Sequence, residues 1–178
     1  MILLMGLPGS GKGTQGKMMA DQHGLHLISM GELVRMYVTG ERRQRMMAGE
    51  LLDDQEIIEM LDKVLSSLPD SEECVLDGFP RTIPQAEWLV AQVKKGRFQL
   101  RHVFHLVASE DAVKARLQAR GRLDDQDNVI EERFREYQKL TEPVIEWLSK
   151  HGFEVTDINA ERSAAQVNDD VLKHLNLN

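Results

Sequence analysis

A glycine-rich segment near the start of the chain, Gly6 to Thr14, constrains the fold more than any other feature. It reads GLPGSGKGT, follows the apolar run Ile2 to Met5, and precedes a helix-compatible segment. A strand, a glycine-rich turn and a helix in this order direct backbone N–H groups and the helix dipole at one point, where Lys12 adds a charge. A flexible glycine-rich turn is the alternative, but the order of the parts favours a phosphate cradle. The residues expected at nucleotide phosphates are Gly9, Ser10, Gly11, Lys12, Gly13 and Thr14.

One position of this loop departs from the general pattern G-x-x-x-x-G-K-[ST]. Gly13 stands where the hydroxyl residue normally follows the lysine, and the hydroxyl arrives one position later, as Thr14. In most phosphate loops that hydroxyl binds the nucleotide magnesium. Either Thr14 takes this role, or phosphates and water hold most of the metal.

The composition excludes several classes of function. A length of 178 residues is enough for one well-buried main domain, and a net charge of −7 argues against nucleic acid or an anionic membrane as a partner. Cys74 is the single cysteine, which excludes a disulfide framework and a multi-cysteine zinc site. The N-terminal apolar run is too short for a signal peptide and no segment is long enough to span a bilayer, so we expect a cytoplasmic protein.

Short apolar runs separated by helical stretches predict an α/β fold with a parallel sheet covered by helices on both faces. Asp53 and Glu56 are spaced as an N-terminal capping box, and Pro143 should bend or restart a long helical segment, 127–150. The predicted strands are Ile2 to Met5, Leu25 to Ile28, Cys74 to Leu76, His102 to Val107 and Phe153 to Val155.

The stretch Met30 to Glu50 has a different character. Its apolar periodicity is poor, it is punctuated by glycines, and it is rich in arginine. We interpret it as a helical excursion outside the sheet. The arginines in it are Arg35, Arg42, Arg43 and Arg45.

Two polar residues follow the predicted strand that ends at Leu76. Asp77 should lie at the carboxyl end of that strand, on the same edge as the phosphate loop, where a carboxylate can hold magnesium through water. A strand-end aspartate that caps a turn is the structural alternative. Arg81 follows in a constrained turn, and its guanidinium suits a second phosphate group.

These motifs together resemble the adenylate kinases of the nucleoside monophosphate kinase family, over nearly the whole chain. Gly6 to Gln15 resembles the family's phosphate loop, including the glycine after the lysine, and Asp77 to Arg81 resembles its second signature. Ser29 to Arg35 resembles the start of the monophosphate-binding region, and Met46 to Leu52 the wall of the base pocket. The resemblance implies a P-loop NTPase three-layer sandwich with a five-stranded parallel sheet.

Four further arginines fall where the family places its lid and phosphate-contacting arginines: Arg116, Arg120, Arg122 and Arg133. Arg116 and Arg120 are one helical turn apart and share a face, so both could point at one polyphosphate. From the residues alone, a solvated surface with ion pairs is the favoured interpretation of these arginines. The resemblance favours phosphate contacts instead. The catalytic residues it implies are Lys12, Arg81, Arg116, Arg120, Arg122 and Arg133, with Arg116 and Arg120 also binding ATP.

The acceptor site implied by the resemblance holds AMP. Gln85 would hydrogen-bond the adenine edge, although Thr82 and Gln85 also satisfy a capping-box pattern. Met30 stands where the family usually carries a threonine beside the base, so a soft apolar contact replaces a polar one. The residues expected at AMP are Met30, Arg35, Met46, Leu52, Gly78, Arg81, Gln85, Arg122 and Arg133.

The lid is almost absent, because Arg120-Gly121-Arg122 runs directly into Leu123-Asp124-Asp125. We therefore expect one kinase domain, 1–178, with a core of about 1–28, 51–119 and 127–178, a monophosphate-binding excursion of about 29–50 and a minimal lid of about 120–126. So short a lid leaves no room for the zinc site of long-lid relatives.

The resemblance implies reversible transfer of the terminal phosphoryl group of MgATP to AMP, giving two ADP, by a monomer without a covalent intermediate. Asp77 would orient the hydrated Mg²⁺, with Thr14 as a second candidate. A CMP/UMP kinase is the first alternative, because of Met30. A P-loop nucleotide sensor or switch is the second, although the chain has no Asn-Lys-x-Asp guanine motif.

Overall fold

The computed structural model describes residues 1–69 and 73–175 and contains a five-stranded, fully parallel sheet. Its spatial order is β2-β3-β1-β4-β5, so β1 occupies the centre and leads into the glycine-rich loop. The strands are β1 Ile2–Met5, β2 His26–Ser29, β3 Cys74–Asp77, β4 His102–Val107 and β5 Val155–Asn159.

The predicted strands are confirmed in number and order, but the last one was misplaced. Phe153 lies before the strand and packs, partly buried, against the core, whereas β5 continues to Asn159. Polar and apolar residues mix along β5 because it is an edge strand, and of its residues Ile158 alone is buried. An apolar run therefore predicts the bounds of the buried strands better than those of the edge strand β5.

Helices cover both faces of the sheet, which confirms the predicted three-layer α/β architecture. The helices are α1 Lys12–His23, α2 Met30–Tyr37, α3 Gly40–Met47, α4 Asp54–Leu65, α5 Ile83–Lys94, α6 Glu110–Arg120, α7 Asp127–Glu136, α8 Glu142–Lys150 and α9 Ala164–Leu175, with a π-helical turn at Tyr137–Thr141. Among the described residues, no helix is both long and apolar enough to cross a membrane.

Alternation along the central strand divides the core between the two faces. Leu3 and Met5 belong to one apolar cluster, together with residues of α4, α5 and α8. Ile2 and Leu4 belong to the opposite cluster, together with residues of α1 and α9. Because successive side chains of a strand point to opposite faces, a fully apolar strand such as β1 must be covered on both sides.

Local sequence signals account for the helix ends near the cleft. The Asp53 side chain accepts hydrogen bonds from the backbone of Gln55 and Glu56 at 3.0 and 3.3 Å and so caps α4. Pro143 lies in the first turn of α8, directly after the π-helical turn. Proline has no N–H to continue the helical ladder, so the predicted restart at Pro143 is confirmed.

The excursion forms two short helices, α2 and α3, that lead from β2 to α4. Gly49, at its end, has φ +95°, and a side chain there would lie 3.1 Å from the carbonyl oxygen of Val129 in α7. The end of the excursion therefore packs directly on α7, across the cleft from the sheet. The proposed division into core, excursion and lid remains a prediction, and the last three residues of the predicted core, 176–178, lie outside the described residues.

Candidate active site

A cleft of about 1070 Å³ opens at the carboxyl edge of the sheet, above β1 and β3. It is lined by the glycine-rich loop, by the end of β3 and by arginines of α6 and α7. In a parallel α/β sheet this edge is where loops from neighbouring strands converge and where ligands bind. A smaller cavity of about 80 Å³ adjoins the cleft and shares Arg35, Arg81 and Arg133 with it.

All predicted phosphate-loop residues line the larger cleft. The loop turns tightly around Gly9, which has φ +89°, and a side chain there would lie 2.8 Å from Leu117 of α6. Glycine at this position lets α6 approach the loop. The Lys12 ammonium donates hydrogen bonds to the carbonyl oxygens of Gly6 and Leu7 at 2.7 and 2.8 Å, so it lies folded against its own loop.

Burial lowers the pKa of Lys12 to about 8, and nearby arginines reinforce this effect while Asp77 opposes it. A phosphate group would supply the negative charge that this buried ammonium lacks. The lysine is therefore suited to binding an anion in the cleft.

Asp77 is the last residue of β3 and accepts a hydrogen bond from the Ser29 hydroxyl, with 3.3 Å between the two oxygens. A side chain at Gly13 would lie 3.5 Å from the Asp77 carboxylate. The carboxylate thus faces the first turn of α1, beside the phosphate loop. Thr14 is exposed in the same turn and also lines the cleft. Oxygen ligands of this kind suit Mg²⁺ held through water.

The second predicted phosphate site is a pair of arginines that meet where the two cavities join. The Arg81 Nε donates to the carbonyl oxygen of Gly78 at 2.9 Å, which folds the side chain back over its own turn. Burial lowers the pKa of both Arg81 and Arg35. Electrostatic repulsion from Arg122 lowers the pKa of Arg35 further. Neither guanidinium forms an ion pair with a carboxylate among residues 1–69 and 73–175.

Two further arginines of the cleft, Arg120 and Arg133, are held by adjacent carboxylates in the segment between α6 and α7. The Arg120 guanidinium donates to both oxygens of Asp125 at 2.8 and 2.6 Å, and Arg133 donates to Asp125 and Asp124 at 3.3 and 3.4 Å. Burial alone would raise the pKa of Asp125, but hydrogen bonds from Arg120 and the Arg122 amide hold it below its usual value. Burial also lowers the pKa of Arg133 to about 10.

The smaller cavity contains the predicted base-pocket residues. It is lined by apolar side chains of the excursion and of α4, and by the amide of Gln85, which is 2% exposed. Thr82 caps α5 by accepting from the Gln85 backbone at 3.4 Å, as predicted. The Gln85 side chain, however, accepts from the Arg81 backbone and not from Thr82, so the full capping box is absent. The apolar residues that line the smaller cavity include Met30, Val34, Met46, Leu52 and Ile57.

Every residue that we predicted at a nucleotide or metal lines one of these two cavities, including Arg116 and Arg122. Their individual roles remain predictions. The sequence analysis missed Tyr137 and Thr141, which line the cleft from the π-helical turn. Burial raises the pKa of Tyr137, and the Thr141 hydroxyl donates to the Arg81 carbonyl at 3.0 Å. Pro143, which follows this turn, was a usable sequence signal, because a proline indicates an irregularity in a helical segment. Irregularities such as π-helical turns are frequent at functional sites.

A phosphate loop that faces a second cluster of arginines across one cleft, at the carboxyl edge of a parallel sheet, defines a P-loop nucleotide phosphotransferase. The adenylate kinase family matches residues 4–153, which is most of the chain. The chain therefore belongs to the adenylate kinase family of nucleoside monophosphate kinases and is an enzyme.

Individual relatives extend this similarity over almost the full length. An adenylate kinase of Porphyromonas gingivalis is 33% identical over 159 residues, which cover 84% of this chain and 82% of that protein. One from a Synechococcus species is 32% identical over 180 residues, covering 98% and 97% of the two chains. One from Corynebacterium urealyticum is 33% identical over 177 residues, covering 96% of each.

Proposed function

We propose that this enzyme transfers the γ-phosphoryl group of ATP reversibly to AMP, giving two ADP. The observation that carries the proposal is the pair of partly buried guanidiniums, Arg35 and Arg81, which have no carboxylate ion-pair partner among the described residues and line the same cleft as the phosphate loop. A buried charge without a counterion is costly unless a ligand neutralises it. One anion-binding set for the donor and one for the acceptor are what transfer between two nucleotides requires.

In this proposal the loop amides and Lys12 hold the donor phosphates, and Arg35 and Arg81 hold the AMP phosphate. Charge that spreads over the transferred group is neutralised by the arginines of α6, the lid and α7. No residue needs to form a covalent intermediate, because positioning and electrostatic stabilisation are sufficient for this transfer. These arginines are Arg116, Arg120, Arg122 and Arg133, of which Arg122 and Arg133 also reach the AMP side.

Magnesium fits this site through Asp77, which would hold a hydrated ion beside the phosphate loop, with Thr14 as a second oxygen ligand. The bound ion would neutralise charge on the donor phosphates. Partners are then ATP, AMP and ADP. With a net charge of −7 and no basic excess, we expect neither nucleic acid nor a membrane as partner. We also expect a cytoplasmic monomer.

Offering MgATP with AMP, CMP, UMP or GMP in turn, and measuring diphosphate formation, tests the acceptor. AMP should give a kcat/KM at least about tenfold above those of GMP and UMP, because Gln85 reads an amino-substituted edge inside an apolar pocket. CMP also has an amino-substituted edge, so its kcat/KM relative to AMP distinguishes a purine site from a pyrimidine site. A preference for CMP or UMP would instead identify a pyrimidine nucleotide kinase.

A bisubstrate analogue with two linked adenosines separates the enzyme from a nucleotide sensor. It should bind far more tightly than ATP, because it occupies both phosphate sites at once. Equal affinity for the analogue and for ATP would contradict a two-nucleotide site.

A further inference from the structure

Gln85 is held from two sides, and the two neighbours have opposite hydrogen-bonding character. Its Oε1 accepts from the backbone N–H of Arg81 at 2.8 Å, and its Nε2 donates to Oδ1 of Asp54 at 2.8 Å. The Thr82 hydroxyl donates to the same oxygen of Asp54 at 2.7 Å. Asp54 is the first residue of α4, so this contact joins α4 to the start of α5.

These neighbours allow only one orientation of the Gln85 amide. A backbone N–H can only donate and a carboxylate can only accept, whereas a free glutamine amide can turn over and exchange its oxygen and nitrogen. Turning Gln85 over would place N–H against the N–H of Arg81 and oxygen against the oxygen of Asp54. Each buried mismatch of this kind costs about 1–3 kcal/mol, and more where a charge is involved.

The fixed amide still has one free lone pair on Oε1 and one free hydrogen on Nε2. Adenine presents a matching edge, because its 6-amino group donates and its N1 accepts. A 6-oxo purine presents the reverse, because its oxygen accepts and its N1–H donates. Arg35 and Arg81 would anchor the phosphate, so the base cannot slide to exchange these positions.

We propose that Asp54 determines acceptor specificity by positioning Gln85 to select an amino-substituted base over its oxo counterpart. The inference rests on the proposed function, since it assumes that a nucleoside monophosphate base occupies the smaller cavity. Asp54 acts through Gln85 and is a positioning residue.

The test compares AMP with IMP, which differ in hydrogen bonding only at N1 and position 6. Asp54→Leu is close in size and shape and removes the oxygen that accepts from both Gln85 and Thr82. The ratio of kcat/KM for AMP to that for IMP should fall by about tenfold or more, chiefly through KM, since about 1.4 kcal/mol corresponds to a factor of ten. Asp53→Asn is the matched control, because asparagine also caps a helix and the neighbouring carboxylate does not contact Gln85. It should leave the ratio within twofold.

A double-mutant cycle distinguishes positioning from a general structural effect. In a Gln85→Leu background, Asp54→Leu should no longer change the AMP-to-IMP ratio, whereas a structural role would change it there too. Wild-type enzyme supplies a test that does not depend on folding of any variant. The monophosphate of unsubstituted purine riboside accepts at N1 and lacks the 6-oxygen, so it should be a better substrate than IMP.

An unchanged ratio in Asp54→Leu, or IMP matching the purine analogue in wild type, would overturn the inference while leaving AMP kinase activity intact. Failure of wild type to phosphorylate AMP would instead overturn the proposed function.

Discussion

Arg120 and Asp125 form a bidentate ion pair across the short lid, with the guanidinium Nε and Nη2 at 2.8 and 2.6 Å from the two carboxylate oxygens. The Asp125 side chain has no exposed surface, and Arg133 donates to the same carboxylate at 3.3 Å. One buried carboxylate therefore positions two arginines of the cleft to which we assign neutralisation of the transferred phosphoryl group. A lid loop of ordinary length is not needed to hold them.

Asp125→Asn should lower the free energy of unfolding by about 2–4 kcal/mol, because it removes the charge of a buried carboxylate that binds both Arg120 and Arg133. Urea unfolding at pH 7 measures the loss. Asp127→Asn, an exposed carboxylate at the start of α7, is the control and should cost less than about 1 kcal/mol. Equal losses in the two variants would contradict a special role for Asp125.

The same carboxylate makes stability depend on pH in a defined direction. Its pKa is lower in the folded protein than its usual value of about 4. Its contribution is thus complete above pH 4 and is lost as the pH falls through the folded pKa. Wild type should therefore lose more stability than Asp125→Asn on acidification below pH 4. Parallel pH profiles of the two proteins would rule this out.

Lys12 should take up a proton when nucleotide binds at alkaline pH. Its pKa of about 8 leaves it largely neutral at pH 9 before nucleotide binds, and bound phosphates should raise that pKa. Calorimetry of ATP binding in buffers of different ionisation enthalpy should detect uptake approaching about one proton at pH 9. Lys12→Met should abolish both the proton uptake and phosphoryl transfer. Lys17→Met is the control, because Lys17 lines the same cleft, and it should retain the proton uptake. Identical uptake in wild type and Lys12→Met would contradict this assignment.

Asp77→Asn should raise the Mg²⁺ concentration needed for half-maximal transfer by about tenfold or more, as expected for a group that holds a metal through water. Asparagine can still accept from Ser29, so the local fold should persist. Titrating activity with Mg²⁺ at saturating nucleotides measures the change. Asp21→Asn, another carboxylate that lines the cleft, should leave the requirement unchanged. A shift of the same size in both variants would argue for a general charge effect.

Gly49→Ala should interfere with seating of the excursion on α7. Alanine there would place a methyl group 3.1 Å from the Val129 carbonyl at φ +95°. We expect closure of the excursion over the cleft to exclude water, so in this variant ATP hydrolysis without acceptor should rise relative to transfer by about threefold or more. Gly40→Ala is the matched control, since Gly40 also has positive φ but faces open space. If the ratio of ATP hydrolysis to transfer is unchanged in both Gly49→Ala and Gly40→Ala, the contact between Gly49 and α7 has no role in closure.

Local signals predicted much of the fold and the outline of the site. The apolar strand β1, the Asp53 cap and the restart at Pro143 depend on a few neighbouring residues, and all three occur as predicted. The placement of Asp77 beside the phosphate loop follows from the shared edge of a parallel sheet, so it too was accessible from the sequence. The bounds of β5 were not, because an edge strand lacks the apolar pattern of a buried one.

The sequence by itself determined that Lys12 and its loop form a phosphate cradle, since the geometry of strand, turn and helix is local. Only the tertiary structure decided that Arg35 and Arg81 are partly buried without an ion-paired carboxylate among the described residues, while Arg120 and Arg133 converge on Asp125. Likewise, Asp54 meets Gln85 across 31 positions of sequence. Such contacts depend on how the helices pack. The pattern of charges along the chain does not specify which carboxylate pairs with which arginine or amide.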